Sequence, residues 1–115
     1  MSTAERVMRR FYRSSKGDPS KLPWHREEPA DLLIDTTHSL STGARVLDVG
    51  CGAGVFAVWM SSQGMQVTAI DLFPEAISMA QQRASQNGVD VTWVCGDMFE
   101  FIPDAPYDLV FDSGC

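Results

Sequence analysis

The chain has 115 residues, of which 44% are hydrophobic and 21% are charged, the size and balance of one ordinary globular domain. Residues 1–28 hold seven basic against four acidic residues, whereas residues 29–115 hold two against eleven, and the formal net charge is −6. The acidic character of residues 29–115 disfavours nucleic acid as a partner. The sequence has no run of about 18 apolar residues, so we expect neither a membrane span nor a membrane partner.

The cysteines and the N-terminus indicate the compartment. Cys51, Cys95 and Cys115 are too few and too scattered for a disulfide framework or a zinc site, so we interpret them as reduced thiols and expect no metal. The basic N-terminal segment has no apolar stretch of the kind that a secretory signal needs. These features predict a cytoplasmic protein.

The first 28 residues are predicted to form a helix and an entrance segment ahead of the main domain. Apolar residues recur at helical spacing over 4–13, with arginines between them, which predicts an amphipathic helix. The stretch 14–23 is a linker by its Gly, Pro and Ser content. The apolar face of the helix consists of Val7, Met8, Phe11 and Tyr12.

The main domain, residues 29–115, is expected to begin with a second helix. Pro29 is a favourable first-turn residue, and Gly43 is placed to end the helix. Its side chains expected to be buried are Leu33, Ile34, Thr37 and Leu40.

From Arg45 onward, short apolar runs alternate with helical stretches, which predicts a βαβ series and therefore an α/β, Rossmann-like parallel sheet. Right-handed crossovers place the first two connecting helices on one face, so the fourth strand must return beside the first, giving the strand order 3-2-1-4. The predicted strands are 45–49, 66–70, 91–94 and 107–111, and the predicted helices are 54–63 and 74–87.

The first strand is followed by a glycine loop, RVLDVGCGAG at 45–54. Such a loop lets the backbone approach a ligand closely. Dinucleotide loops follow G-x-G-x-x-G, but here the pattern is G-x-G-x-G and Val55 stands where the third glycine would be.

Two aspartates narrow the kind of ligand. Asp48 beside the loop would repel a pyrophosphate but suits a cationic group. Asp71 ends the second strand, where a carboxylate can accept hydrogen bonds from a ribose diol. The sequence therefore predicts a ligand with a ribose, a positive charge and no phosphate.

Four segments in order resemble the motifs of class I S-adenosylmethionine-dependent methyltransferases. DVGCGAG resembles the first motif, AIDLFPEAI the second, GDMFEF the adenine-binding stretch and YDLVFDSGC the fourth. The resemblance covers residues 45–115 and implies S-adenosylmethionine as cofactor, with S-adenosylhomocysteine as product.

For the methionine end of that cofactor, the resemblance implies contacts with the glycine loop. Asp48 and the loop around Gly50, to which the candidate contact Cys51 belongs, would take the amino group. The structural alternative for Cys51 is that it fills a small space beside the loop. Gly52 and Gly54 would let the chain pass close to the ligand. Asp48 also has a structural interpretation, as a cap of the loop.

For the nucleoside, the resemblance implies that Asp71 binds the ribose hydroxyls and that Leu72 lies against the adenine. Asp97 would accept from the adenine amino group, Met98 would pack on the other face, and Asp112 would stand near the methionine end or the acceptor. Structural alternatives are a helix cap at Asp71, a turn former at Asp97 and a core residue at Met98.

The acceptor is expected to be a small molecule, because DSGC does not resemble the Asn/Asp-Pro-Pro-aromatic motif of methyltransferases that modify exocyclic amines of bases. No catalytic residue is assigned: His25 and His38 are interpreted as structural or exposed, and Trp24 as core or lid. Two alternatives stay open, a non-catalytic nucleotide-binding module that completes its fold with a partner chain, and a nicotinamide oxidoreductase, which Val55 and Asp48 disfavour.

Members of this family carry further strands after the fourth, so we expect the chain to be the cofactor-binding portion of a methyltransferase. A sheet that is bare on one face and open at its fourth strand predicts a homodimer or a partner chain.

Overall fold

The computed structural model describes residues 2–25 and 31–112. The predicted boundary between the N-terminal segment and the main domain falls in the gap between these ranges and stays a prediction. The elements of the described part are α1 (Thr3–Ser15), a 3₁₀ turn (Pro19–Lys21), α2 (Asp31–His38), β1 (Arg45–Val49), α3 (Val55–Ser62), β2 (Gln66–Asp71), α4 (Pro74–Asn87), β3 (Thr92–Cys95), a second 3₁₀ turn (Met98–Glu100) and β4 (Leu109–Asp112).

The four strands form one parallel sheet in the order β3-β2-β1-β4, which confirms the predicted topology. Each strand begins and ends within two residues of its predicted bounds. Helix α4 begins at Pro74 and ends at Gly88, which takes the left-handed conformation, as predicted.

Helix α1 forms as predicted, and Ser2 caps it by accepting a hydrogen bond from the backbone N–H of Glu5 at 3.1 Å. The apolar face of α1 is only partly buried. Tyr12 is buried, but Val7 and Phe11 are 47% and 41% exposed. The reason is that α1 packs on α4 and on the glycine loop along a narrow strip centred on Tyr12 rather than on the sheet. No helix in the described part of the chain is long and apolar enough to cross a membrane.

Helix α2 ends five residues before Gly43, so the prediction that Gly43 ends it is wrong. The backbone amides of Ser39 and Leu40 each donate to the carbonyl three residues earlier, at 3.1 and 3.0 Å, which closes the helix early. Gly43 instead donates to the carbonyl of Gly64 at 2.9 Å. The predicted start at Pro29 lies outside the described residues. Among the side chains expected to be buried, Thr37 is buried, and Leu33, Ile34 and Leu40 are half-buried.

The two faces of the sheet are covered differently. Helices α3 and α4 both pack on β2 and on each other, and α2 adds side chains to the same core. On the other face, Leu47, Val49 and Ile70 are buried beneath Phe101 and Tyr107, which belong to the connection between β3 and β4.

Candidate functional site

The glycine loop leaves β1 at the carboxyl edge of the sheet and is anchored to the neighbouring strand. The amides of Gly50 and Cys51 both donate to the carbonyl of Ile70, at 2.8 and 3.1 Å, and the amide of Gly52 donates to Asp71 Oδ2 at 2.9 Å. Gly50 and Gly52 have φ of +69° and +55°, the left-handed region that favours glycine. Hydrogen bonds within the protein and the conformation of the glycines therefore define the shape of the loop.

The structural role of Gly54 differs from that of Gly50 and Gly52. A Cβ added there would lie 2.7 Å from Ala80 Cβ and 3.0 Å from Ala80 Cα, on α4. Its absent side chain thus permits the close approach of α3 and α4. Gly54 lines neither of the two cavities described below.

Asp71 stands at the end of β2 and is buried, with 8% of its surface exposed. Its two oxygens accept hydrogen bonds from Gly52 N–H at 2.9 Å and from Phe73 N–H at 3.0 Å. The N-cap position of α4 is Phe73, so the cap interpretation of Asp71 is wrong. A carboxylate has about four acceptor positions, so Asp71 keeps capacity for further donors.

Burial raises the pKa of Asp71 above its ordinary value, and backbone hydrogen bonds from Phe73, Gly52 and Leu72 oppose that rise. A ligand hydroxyl donating to the ionised carboxylate would add to the opposing effect. Ligand binding and ionisation of Asp71 should therefore favour one another.

A first cavity of about 320 Å³ opens between the glycine loop and the N-terminal segment. Its floor is the loop and Asp71, and its walls are aromatic and aliphatic. The residues that line it are Met8, Tyr12, Trp24, His25, Gly50, Cys51, Gly52, Ala53, Val55, Phe56 and Asp71.

A second cavity of about 560 Å³ lies on the other side of Gly50 and Asp71, along the carboxyl ends of the strands. Leu72 and Met98 present side chains that are 42% and 38% exposed, so the core interpretation of Met98 is wrong. Asp97 lines this cavity too, while its Oδ1 accepts from Phe99 N–H at 2.9 Å, as the turn interpretation expected.

Of the ten residues predicted to contact a cofactor, eight line one or both cavities, Asp112 among them. The two that do not are Gly54 and Asp48. Asp48 is fully buried on β1, beside Ala69 and Phe111 of the neighbouring strands.

The sequence analysis missed the contribution of α1. Met8 lines both cavities and Tyr12 lines the first. Their spacing marked them only as apolar helix residues, and that signal does not say which surface they meet. Of the two histidines, His25 lines the first cavity, whereas His38 lies against Trp59 with ring centres 6.2 Å apart.

Within residues 2–25 and 31–112, no cluster of three or more His, Cys, Asp or Glu side chains is placed to hold a metal ion.

Comparison with known proteins agrees with this geometry. A family model described as a methyltransferase domain matches residues 46–115. The chain is 36% identical to a ubiquinone biosynthesis O-methyltransferase of Xanthomonas euvesicatoria pv. vesicatoria (strain 85-10), in a match that covers 76% of this chain and 44% of that protein.

Solved structures give the same result. A SAM-dependent methyltransferase from Thiobacillus denitrificans in complex with S-adenosyl-L-homocysteine matches with a TM-score of 0.68 and 29% identity, over 79% of this chain and 39% of that one. A SAM-dependent methyltransferase from Geobacter sulfurreducens in complex with S-adenosyl-L-homocysteine matches with a TM-score of 0.69 and 25% identity, over 94% and 43%. The chain thus spans less than half the length of these proteins. Because the family model covers more than half of the chain, and the sheet order and glycine loop agree with it, the chain belongs to the class I S-adenosylmethionine-dependent methyltransferase family.

Proposed function

We propose that the chain binds S-adenosylmethionine across Gly50 and Asp71, with the nucleoside in the second cavity and the amino-acid end in the first, and that the protein transfers the methyl group to an oxygen of a small molecule. The observation that carries this proposal is that two cavities meet at these two residues. An elongated ligand with a ribose at its centre fits that arrangement.

The second cavity suits a nucleoside. Leu72 and Met98 offer apolar surface to the two faces of a base. Asp97 offers a carboxylate to an exocyclic amino group, because only one of its oxygens is used by Phe99 N–H. Asp71 keeps acceptor positions for ribose hydroxyls. Asp112 lies at the edge of the same cavity.

The first cavity suits the amino-acid end. Gly50 and Gly52 border it without side chains that would fill it, and the nearest atom to a Cβ added at Gly52 would be Tyr12 Oη, at 3.8 Å. Asp48 lines neither cavity, so its carboxylate is not included among the contacts of the proposed site.

Methyl transfer mainly requires that the acceptor atom be aligned with the methyl group of the cofactor. When bound, the cofactor supplies a methyl group that its sulfonium already makes electrophilic. The residues of this chain hold the reactants in line and exclude water with the apolar walls formed by Met8, Trp24 and Phe56. An oxygen acceptor must also lose a proton to a base, and we assign that role to no residue of the described chain.

The name of the Xanthomonas relative supports oxygen as the acceptor atom. The acidic character of residues 29–115 supports a small molecule rather than nucleic acid. The loop pattern, with Val55 in place of a third glycine, continues to disfavour a nicotinamide dinucleotide.

The test is calorimetry with S-adenosylhomocysteine. Asp71→Ala should weaken binding by about 1.5–3 kcal/mol, the scale of hydrogen bonds to a charged group. Asp90→Ala is the control, because Asp90 is exposed and lines neither cavity, so its binding should match that of the parent. Equal affinity of the parent and Asp71→Ala would remove Asp71 from the ribose role. Tighter binding of NADH than of S-adenosylhomocysteine would favour an oxidoreductase.

A further inference from the structure

Tyr12 is held in a defined position over the glycine loop. It is 3% exposed, although it belongs to a helix whose other aromatic residue, Phe11, is half-exposed. Its ring packs against Phe73 and Trp24, with ring centres 5.5 and 5.4 Å away. Contacts on two sides leave its hydroxyl pointing towards Gly52, where it lies 3.8 Å from the position of a Cβ.

The hydroxyl stays protonated. Burial, followed by the nearby Asp71 carboxylate and the Cys51 thiol, raises the pKa of Tyr12 well above its ordinary value. The Trp24 side chain partly opposes that rise. A protonated phenol can donate its proton to a hydrogen bond, so Tyr12 has a donor to offer to another group.

The first cavity needs such a donor. Its lining residues, among those that the structure describes, include no lysine or arginine. The amino-acid end of the proposed cofactor carries a carboxylate, and burying an anion without hydrogen bonds is costly. Donors other than lysine and arginine must then supply those bonds, and the Tyr12 hydroxyl is a side-chain donor that reaches the loop at Gly52.

We propose that the Tyr12 hydroxyl donates a hydrogen bond to the carboxylate at the amino-acid end of S-adenosylmethionine, so that α1 provides a cofactor-binding residue. This inference rests on the proposed function and on the orientation of the cofactor given there. It makes Tyr12 a binding residue, whereas a purely structural Tyr12 would only fill space between α1 and α4.

The test compares three ligands that differ at the amino-acid end. S-adenosylhomocysteine carries the carboxylate and the amine, decarboxylated S-adenosylmethionine carries the amine alone, and methylthioadenosine carries neither. Tyr12→Phe keeps the ring and removes the hydroxyl. We expect it to weaken S-adenosylhomocysteine about tenfold, the scale of one hydrogen bond to a charged group. The affinities of Tyr12→Phe for the other two ligands should stay within about twofold of the parent's, since neither ligand has the carboxylate with which the Tyr12 hydroxyl would interact.

Tyr107→Phe is the matched control, because Tyr107 lines neither cavity. It lies on the face of the sheet away from α3 and α4, under the guanidinium of Arg45. This variant should leave all three affinities unchanged. A loss of the same size for all three ligands in Tyr12→Phe, or no loss for S-adenosylhomocysteine, would overturn the assignment while leaving the proposed function in place. A parent chain that binds none of the three would overturn both.

Discussion

Gly54 and Gly88 both adopt the left-handed backbone conformation but differ in their surroundings. Gly54 has φ +84° and faces Ala80 at less than van der Waals distance, whereas Gly88 has φ +65° and nothing within 4 Å of its would-be Cβ. The pair therefore separates backbone strain from steric overlap at the junction of α3 and α4.

We expect Gly88→Ala to lower the free energy of unfolding by about 1–2 kcal/mol, the backbone cost of a side chain in the left-handed region. Gly54→Ala should lower it by about 2–5 kcal/mol, because the clash with Ala80 adds the cost of overpacking. Urea unfolding monitored by circular dichroism measures both values. Equal losses in the two variants would mean that α4 moves away from Gly54 at no cost.

The part of the site that could be predicted from the sequence is the set of side chains that follow the strand ends. The carboxyl ends of parallel strands meet at one edge, so Asp71 and Asp97 could be placed together from strand bounds alone. The role of Gly54 could not be predicted in this way. It depends on Ala80, which lies 26 positions further along the chain and meets Gly54 only after α3 and α4 have packed.

At the scale of elements, the strands and the crossover helices could be predicted because each short apolar run is buried by the sheet itself. Helix α1 was harder, since its periodic apolar residues indicate a buried face but not the surface that buries it. The structure places Tyr12 against Phe73 and the loop, and it leaves Val7 and Phe11 on the outside. That outcome depends on the path of the linker, for which the sequence contains no comparable signal.

Helix α1 covers both cavities from above while the strand ends form their floor. Among the main helices and strands, its strongest contacts are with α4, so a ligand between α1 and the loop would add contacts that hold α1 in place. A segment that opens without its ligand exchanges amide hydrogens more slowly when the ligand is bound.

We therefore expect hydrogen exchange in Thr3–Ser15 to slow when S-adenosylhomocysteine binds, by up to about a hundredfold at a concentration a hundred times Kd. The internal reference is Asp31–His38, which lines neither cavity and should exchange at an unchanged rate. Mass spectrometry of peptides from the two helices measures both rates. Equal protection of the two helices would indicate a global effect, and no protection of α1 would remove it from the site.

For the molecule as a whole, the two faces of the sheet are covered from solvent to different extents. In the part of the chain that the structure describes, α2, α3 and α4 pack against one face, and the connection between β3 and β4 packs against the other. Within the described residues, that second side presents Val110 on β4 at 57% exposure, with Phe99 and Ile102 at 89% and 87%. Strand β4 is also the edge of the sheet beside β1, with backbone groups available for pairing.

We expect the 115-residue chain to associate through this side of the sheet at micromolar concentration, because exposed apolar side chains and an open strand edge favour contact with a second copy. Val110→Lys should weaken the association by placing a charge on the edge strand. Val7→Lys is the matched control, since Val7 is similarly exposed but belongs to α1 and not to the edge strand. Sedimentation velocity over a range of concentrations measures the mass of the parent and both variants. A parent that stays at its monomer mass of 12.7 kDa throughout would contradict the expectation, and association that Val7→Lys weakens and Val110→Lys does not would move the contact to α1.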